Sequence, residues 1–295
     1  MLFTLYGLGA AITWGVGSIL IKTQVGRLNS GQLLALRALA GAVTAVMFTL
    51  LLNRSFVTKE VSLLTWFAVL GTVLSGYFAA DLLFVRALEG VPLSVALPIQ
   101  ATYPLVTAGL AWIIFGEPPT LFVVIGALVV VMGIAFIGGS SQEEKMRGGS
   151  SSIVFRWNLI LVGLSALGWG VSAILLSFVL RSVDAIAANS VVAVLVLLAF
   201  LASLRQRVPW SFMREYPTRL GVIFLAGALG GTGISNLLFI LAVESGGVTQ
   251  ATALVCTAPL FAAIFAVLFL GEKMTSRLAA GTLLTVFGIW FIVGG

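Results

Sequence analysis

The chain has 295 residues, of which 60% are hydrophobic and 9% charged, against roughly 45–50% and 25% in a soluble domain, so its solvent is lipid rather than water. The net charge of +6 comes from Lys and Arg scattered through short loops with no basic stripe, which excludes nucleic acid as a partner. With no histidine and one cysteine, Cys256, the usual general base, a thiolate cluster and a disulfide framework are all missing, so no catalytic residue, cofactor or metal site is expected.

A membrane-spanning helix needs about 20 mostly apolar residues, and on that ruler ten spans follow in order: 3–22, 31–53, 62–86, 91–115, 119–139, 156–181, 184–204, 217–243, 248–270 and 274–294. No run alternates as a membrane barrel strand would, so these are helices that satisfy their own backbone groups. The first span lacks the basic flank and cleavage site of a signal peptide. It carries Trp14 and, one turn on, Ser18. Trp14 and its counterpart Trp169 in the sixth span sit well inside the apolar runs, away from the interface where tryptophan anchors, so they either line a cavity or pack. Arg37 opens the second span, where it snorkels to the headgroups or binds an anionic group.

Asp81, late in the third span, is a carboxylate in lipid and needs a reason. It is either a cavity group that binds substrate or carries a proton, or the partner of Arg37 or Arg86. Tyr77 lies one turn before it on the same face. In the fourth span Gln100, Tyr103 and Thr107 share a face, and such a polar stripe looks at water or protein, serving either a ligand or the neighbouring helices. Pro98 and Pro104 interrupt this span. Glu117 and Glu272 open the fifth and tenth spans, where a carboxylate favours the helix dipole. The stretch from Gly138 to Arg156 is rich in Gly and Ser and reads as a flexible linker. In the eighth span Gly227, Gly230, Gly231 and Gly233 follow no strand, so they signal close helix packing rather than a nucleotide loop. Asn236 follows them. The ninth span carries Gln250, Cys256, Thr257 and one interruption, Pro259.

Landmarks recur at a constant offset of 155 residues. Trp14-Gly15-Val16 returns as Trp169-Gly170-Val171, Leu82-Leu83-Phe84 as Leu237-Leu238-Phe239, Pro104-Leu105 as Pro259-Leu260, and Gly116-Glu117 as Gly271-Glu272. Asp81 returns as the neutral Asn236, so the halves are expected to share a frame and differ in chemistry. The reading is an all-α membrane protein of ten transmembrane helices, arranged as two five-helix repeats at 1–139 and 156–295 joined by a linker at 140–155. Five is odd, so the copies enter the membrane in opposite directions as an inverted repeat, which is the sequence mark of secondary transporters. Lys and Arg number twelve in the loops after odd-numbered spans and three in the others, which places the odd loops in the cytoplasm.

The Trp-Gly of spans one and six, Arg37, the Pro-Leu of spans four and nine, and the Gly-Glu before the Gly-patterned fifth and tenth spans together resemble the EamA branch of the drug/metabolite transporter superfamily. The resemblance implies a central cavity lined by spans 1, 3, 4, 6, 8 and 9, and export or exchange of small metabolites such as amino acids. It also implies both termini in the cytoplasm, against the loop charges. The expected activity is thus secondary transport by alternating access in the plasma (inner) membrane, most directly amino acid export, with the lipid bilayer, a small-molecule substrate and a coupling proton as partners and the oligomeric state open. Substrate-binding candidates are Trp14, Ser18, Arg37, Tyr77, Asp81, Gln100, Tyr103, Trp169, Asn236 and Thr257. The alternatives are an exchanger of anionic or sugar-linked metabolites and a structural membrane protein that transports nothing.

Overall fold

The structure is a computed structural model that describes residues 2–54, 61–115, 152–203, 210–246, 248–271 and 274–294, together with residues 121, 122, 125, 126, 128–130, 132, 133 and 136. Among the described residues the secondary structure is helical, apart from turns and an isolated bridge between Val25 and Leu28. In chain order come α1 (Leu2–Lys22), α2 (Ser30–Leu51) and α3 (Leu63–Thr72), then a π-helical stretch (Val73–Ala80) that runs directly into α4 (Asp81–Ala87). They are followed by α5 (Leu93–Gln100), α6 (Tyr103–Phe115), α7 (Ser152–Val179), α8 (Ala185–Ser203), α9 (Trp210–Glu215), α10 (Pro217–Leu229), α11 (Ile234–Gly246), α12 (Val248–Val255), α13 (Ala258–Leu270) and α14 (Ser276–Gly294).

Seven stretches of the described chain are long and apolar enough to cross a membrane: Leu2–Lys22, Ser30–Leu51, Leu63–Ala87, Val95–Ile114, Ile153–Val179, Ala185–Ser203 and Pro217–Gly246. Ala258–Phe269 and Ser276–Phe291 are shorter apolar helices. The expected fifth span and most of the expected linker, with Glu117, fall largely outside the described residues. Helix α7 begins at Ser152, inside the stretch read as linker.

Local chemistry sets the helix ends. Asn29 caps α2 through a capping box, its Oδ1 accepting from Gln32 N at 2.8 Å while Gln32 Oε1 accepts from Asn29 N at 3.3 Å. Its counterpart 155 residues on, Asp184, caps α8 by accepting from Ile186 N and Ala187 N, each at 3.1 Å. The fourth and ninth expected spans each break once, at Ala101-Thr102 and at Cys256-Thr257. Pro104 and Pro259 stand in the first turn of the helix after each break, where a missing N–H costs nothing, whereas Pro98 stays inside α5. At both breaks a threonine adds a side-chain bond to a carbonyl that its own N–H already meets, Thr102 Oγ1 donating to Ile99 O at 2.7 Å and Thr257 Oγ1 to Leu254 O at 2.6 Å.

Helix α1 packs mainly against α10, α11, α12 and α13, while α7 packs mainly against α3, the π-helical stretch, α4, α5 and α6. Each half therefore lends its first helix to the other. Association in lipid depends on close van der Waals fit, so small residues sit at these crossings. A Cβ on Gly15 would stand 3.4 Å from Ala258 O, and one on Gly170 would stand 3.0 Å from Tyr103 O. A Cβ on Gly133 would stand 2.7 Å from Gly281 O, and one on Gly288 would stand 2.7 Å from Gly126 O. In both cases the second contact joins the repeat counterparts of the first, each residue replaced by the one 155 positions away in the other half.

Candidate functional site

A cavity of about 100 Å³ lies between the halves. One wall is polar and comes from the first half: Ser18 on α1, Arg37 on α2, Tyr77 on the π-helical stretch, Asp81 at the start of α4, and Gln100 and Tyr103 on either side of the first helix break. The second half contributes a mostly apolar wall, with Ser172, Ala173 and Leu176 on α7, Phe239 on α11, and Val255, Cys256, Ala258 and Pro259 around the other break. Trp14 and Trp169 also line the cavity, ring centroids 6.2 Å apart and edge to face. Pairs of this geometry contribute about 0.5–1.5 kcal/mol beyond their buried area.

Arg37 Nη2 donates to Asp81 Oδ2 at 2.9 Å, with the two side chains 14% and 10% exposed. Asp81 is thus the partner of Arg37, as one of the two readings had it, and it also lines the cavity. Arg37 points into the protein rather than to the headgroups. The π-helical stretch carries Tyr77 to the same wall as Asp81, and such stretches are found at functional positions because they re-aim side chains within a continuous helix. Tyr77 packs edge to face on Trp169 at 4.8 Å. Its hydroxyl donates to Asn236 Oδ1, and Asn236 Nδ2 donates to Asn189 Oδ1 at 2.6 Å.

Eight of the ten candidates line the cavity: Trp14, Ser18, Arg37, Tyr77, Asp81, Gln100, Tyr103 and Trp169. Asn236 does not, because it is fully buried behind the Tyr77 hydroxyl. Thr257 does not, because its hydroxyl is turned back onto the Leu254 carbonyl. Thr107, expected on the polar face, bonds Tyr103 O at 3.2 Å. The Gln250 side chain lies outside the described residues. Sequence reasoning missed Phe84 and Phe239, counterparts in the repeated Leu-Leu-Phe that both line the cavity, Phe239 with its ring centroid 5.5 Å from that of Trp14. Cys256, almost fully buried, also borders the cavity, and its thiol donates to the carbonyl of its own counterpart, Ala101 O, at 3.2 Å. Asn189 and Ser165, the latter accepting from Gln100 Nε2 at 3.1 Å, were detectable as polar residues inside apolar spans.

The sequence profile of the EamA-like transporter family matches the chain twice, over residues 1–139 and 156–294. A protein of Archaeoglobus fulgidus named an uncharacterized transporter is 26% identical over 295 residues, covering 99% of this chain and 98% of its own length. A solved protein structure that is 18% identical superposes with a TM-score of 0.68, covering 98% of this chain and 95% of that one, a likeness of fold alone. With its run of apolar helices and a profile match along nearly its whole length, the chain belongs to the EamA-like transporter family and is a multi-pass integral membrane transporter.

Proposed function

We propose that the chain is a secondary carrier of small organic metabolites that works by alternating access, exporting amino acids or related compounds across the plasma (inner) membrane. The observation that carries this reading is the two-sided cavity. Its ion pair, net neutral, offers a cation and an anion 2.9 Å apart, a match for a molecule with its own carboxylate and ammonium, while the apolar wall suits an apolar side chain. A charge-balanced wall favours such a dipolar ligand over the multiply charged anions of an exchanger, which call for several cavity cations. The mechanism is that of ten helices in two inverted five-helix repeats, rocking about the cavity. The repeated contacts at the constant offset and the two profile matches support that arrangement.

The test is efflux and counterflow of a labelled amino acid panel in proteoliposomes, with and without a pH gradient. Saturable flux of at least one member, lost in Asp81→Asn, is expected. Flux no faster than in protein-free vesicles across the whole panel would overturn the reading.

A further inference from the structure

Arg37 has more hydrogen-bonding capacity than Asp81 consumes. A guanidinium carries five N–H donors, and among the described residues its hydrogen bond is the single one to Asp81. It also borders a second recess of about 20 Å³, which reaches Ser18. The Ser18 hydroxyl has no hydrogen-bond partner among the described residues. The floor is backbone. Gly231 sits at φ 59°, and a Cβ there would stand 2.7 Å from Arg37 Nε and 2.7 Å from Nη2. Gly17 closes the side, since a Cβ on it would stand 2.9 Å from Gly230 Cα. The absence of a side chain at Gly231 lets the Arg37 guanidinium lie directly on the backbone, and at Gly17 it lets α1 approach Gly230 closely, so the recess is bordered by main chain at both places.

The recess is of a size to hold one oxygen atom, since about 10–15 Å³ suffices for a water. Trp14, Ser18, Arg37 and Phe84 border both it and the main cavity, so a ligand lying in the cavity can place one end there. No carboxylate lines the recess itself. Free guanidinium donors beside a free hydroxyl, with no competing anion, recognise an oxyanion.

We propose that this recess is a subsite for one carboxylate of the transported molecule, held by Arg37 and Ser18 over the Gly230-Gly231 backbone. The inference rests on the carrier reading and narrows it. A bound carboxylate makes Arg37 the bridge between two anions, the ligand and Asp81. The ligand must then bring a compensating positive charge, its own ammonium or a proton. A carboxylic acid entering with a proton, or a zwitterion, satisfies this balance, and a bare anion does not.

The test uses the purified full chain in detergent, with tryptophan fluorescence as the readout because Trp14 borders the recess. The probes are L-leucine, isovalerate at pH 5.5, and leucinol, which keeps the amine and the side chain of leucine and lacks the carboxylate. Saturable responses to the two carboxylate compounds are expected, with leucinol about 10-fold weaker than leucine, the worth of one charge-assisted hydrogen bond. Ser18→Val and Gly231→Ala, which fill the recess from opposite sides, should each erase the difference between leucine and leucinol. Gly231→Ala strains the backbone, so Ser18→Val decides wherever Gly231→Ala unfolds. No saturable response to either carboxylate, equal binding of leucine and leucinol, or discrimination that survives Ser18→Val would overturn the subsite. Flux in proteoliposomes that persists alongside any of these would leave the carrier reading standing.

Discussion

Separating the members of the Arg37–Asp81 pair tests the geometry and the function together. The pair is 2.9 Å long and its side chains are 14% and 10% exposed, so removing either partner strands a charge in a largely buried place. Such losses typically cost 3–5 kcal/mol. Because both side chains keep a little exposure to the cavity, the expected cost for Arg37→Gln or Asp81→Asn is at the lower end, about 3 kcal/mol. For 295 residues at about 2.1 cal/mol/K each, that lowers the unfolding midpoint by roughly 5 °C. The double variant Arg37→Gln with Asp81→Asn removes both charges and keeps the shapes, and it should return to within about 1 kcal/mol of wild type, since exchanging a whole buried pair for neutral groups is often close to neutral. Unfolding midpoints in detergent would be read beside flux in proteoliposomes. The single variants should be destabilised and inactive, and the double variant stable and inactive. Single variants with wild-type midpoints would refute the burial argument. A double variant with wild-type flux would refute the role of the pair in transport.

Three further outcomes are expected. Tyr77→Phe leaves Asn236 Oδ1 buried without its donor and should cost about 1–3 kcal/mol in unfolding free energy, and adding Asn236→Leu should recover part of it; strictly additive losses would show that the two do not interact. Gly133→Val drives a side chain into the Gly281 carbonyl and Thr285, for a loss of about 1–3 kcal/mol, whereas Gly163→Ala on α7, which meets nothing within 4 Å, should gain up to about 1 kcal/mol; equal midpoints for the two variants would contradict the close crossing. The charge asymmetry of the loops predicts a cytoplasmic linker, so Ser150→Cys in a Cys256→Ala background should resist an impermeant thiol reagent in intact cells, and its modification there would establish the opposite orientation.

The helices were legible because lipid leaves a chain little choice: long apolar runs must be helical, and Gly and Pro mark where they stop or bend. What escaped was the fine geometry within them. No residue type announces the π-helical stretch at Val73–Ala80, which packs against α7. Proline located the breaks in the fourth and ninth spans only approximately, since it tolerates the first turn of a helix and each break falls just before it. The polar cavity residues were readable because a charge, amide or phenol within an apolar span is costly unless something inside receives it. Asn236 was misplaced by the same logic that located Asp81. A constant offset predicts equivalent positions but not what stands in front of them, and the Tyr77 hydroxyl covers Asn236, while Asp81 remains open to the cavity.

The repeat also shows where divergence was tolerated. Around the cavity the apolar frame is kept in pairs, Trp14 with Trp169 and Phe84 with Phe239, whereas the directional groups are not: Ser18, Arg37, Gln100 and Tyr103 have Ala173, Val192, Val255 and Ala258 as counterparts. Hydrogen bonds and ion pairs fix an orientation, and apolar contact does not. On the carrier reading, a ligand held by the polar wall keeps one orientation relative to the first half, and the second half can slide past its apolar side without breaking a hydrogen bond. A cavity polar on both walls would tie the two halves together through the ligand and resist their relative motion. On that reading the lower polarity of the second copy would let a bound molecule travel with one half while the other moves, and α1 and α7, each packed into the opposite half, would be the elements that transmit the motion.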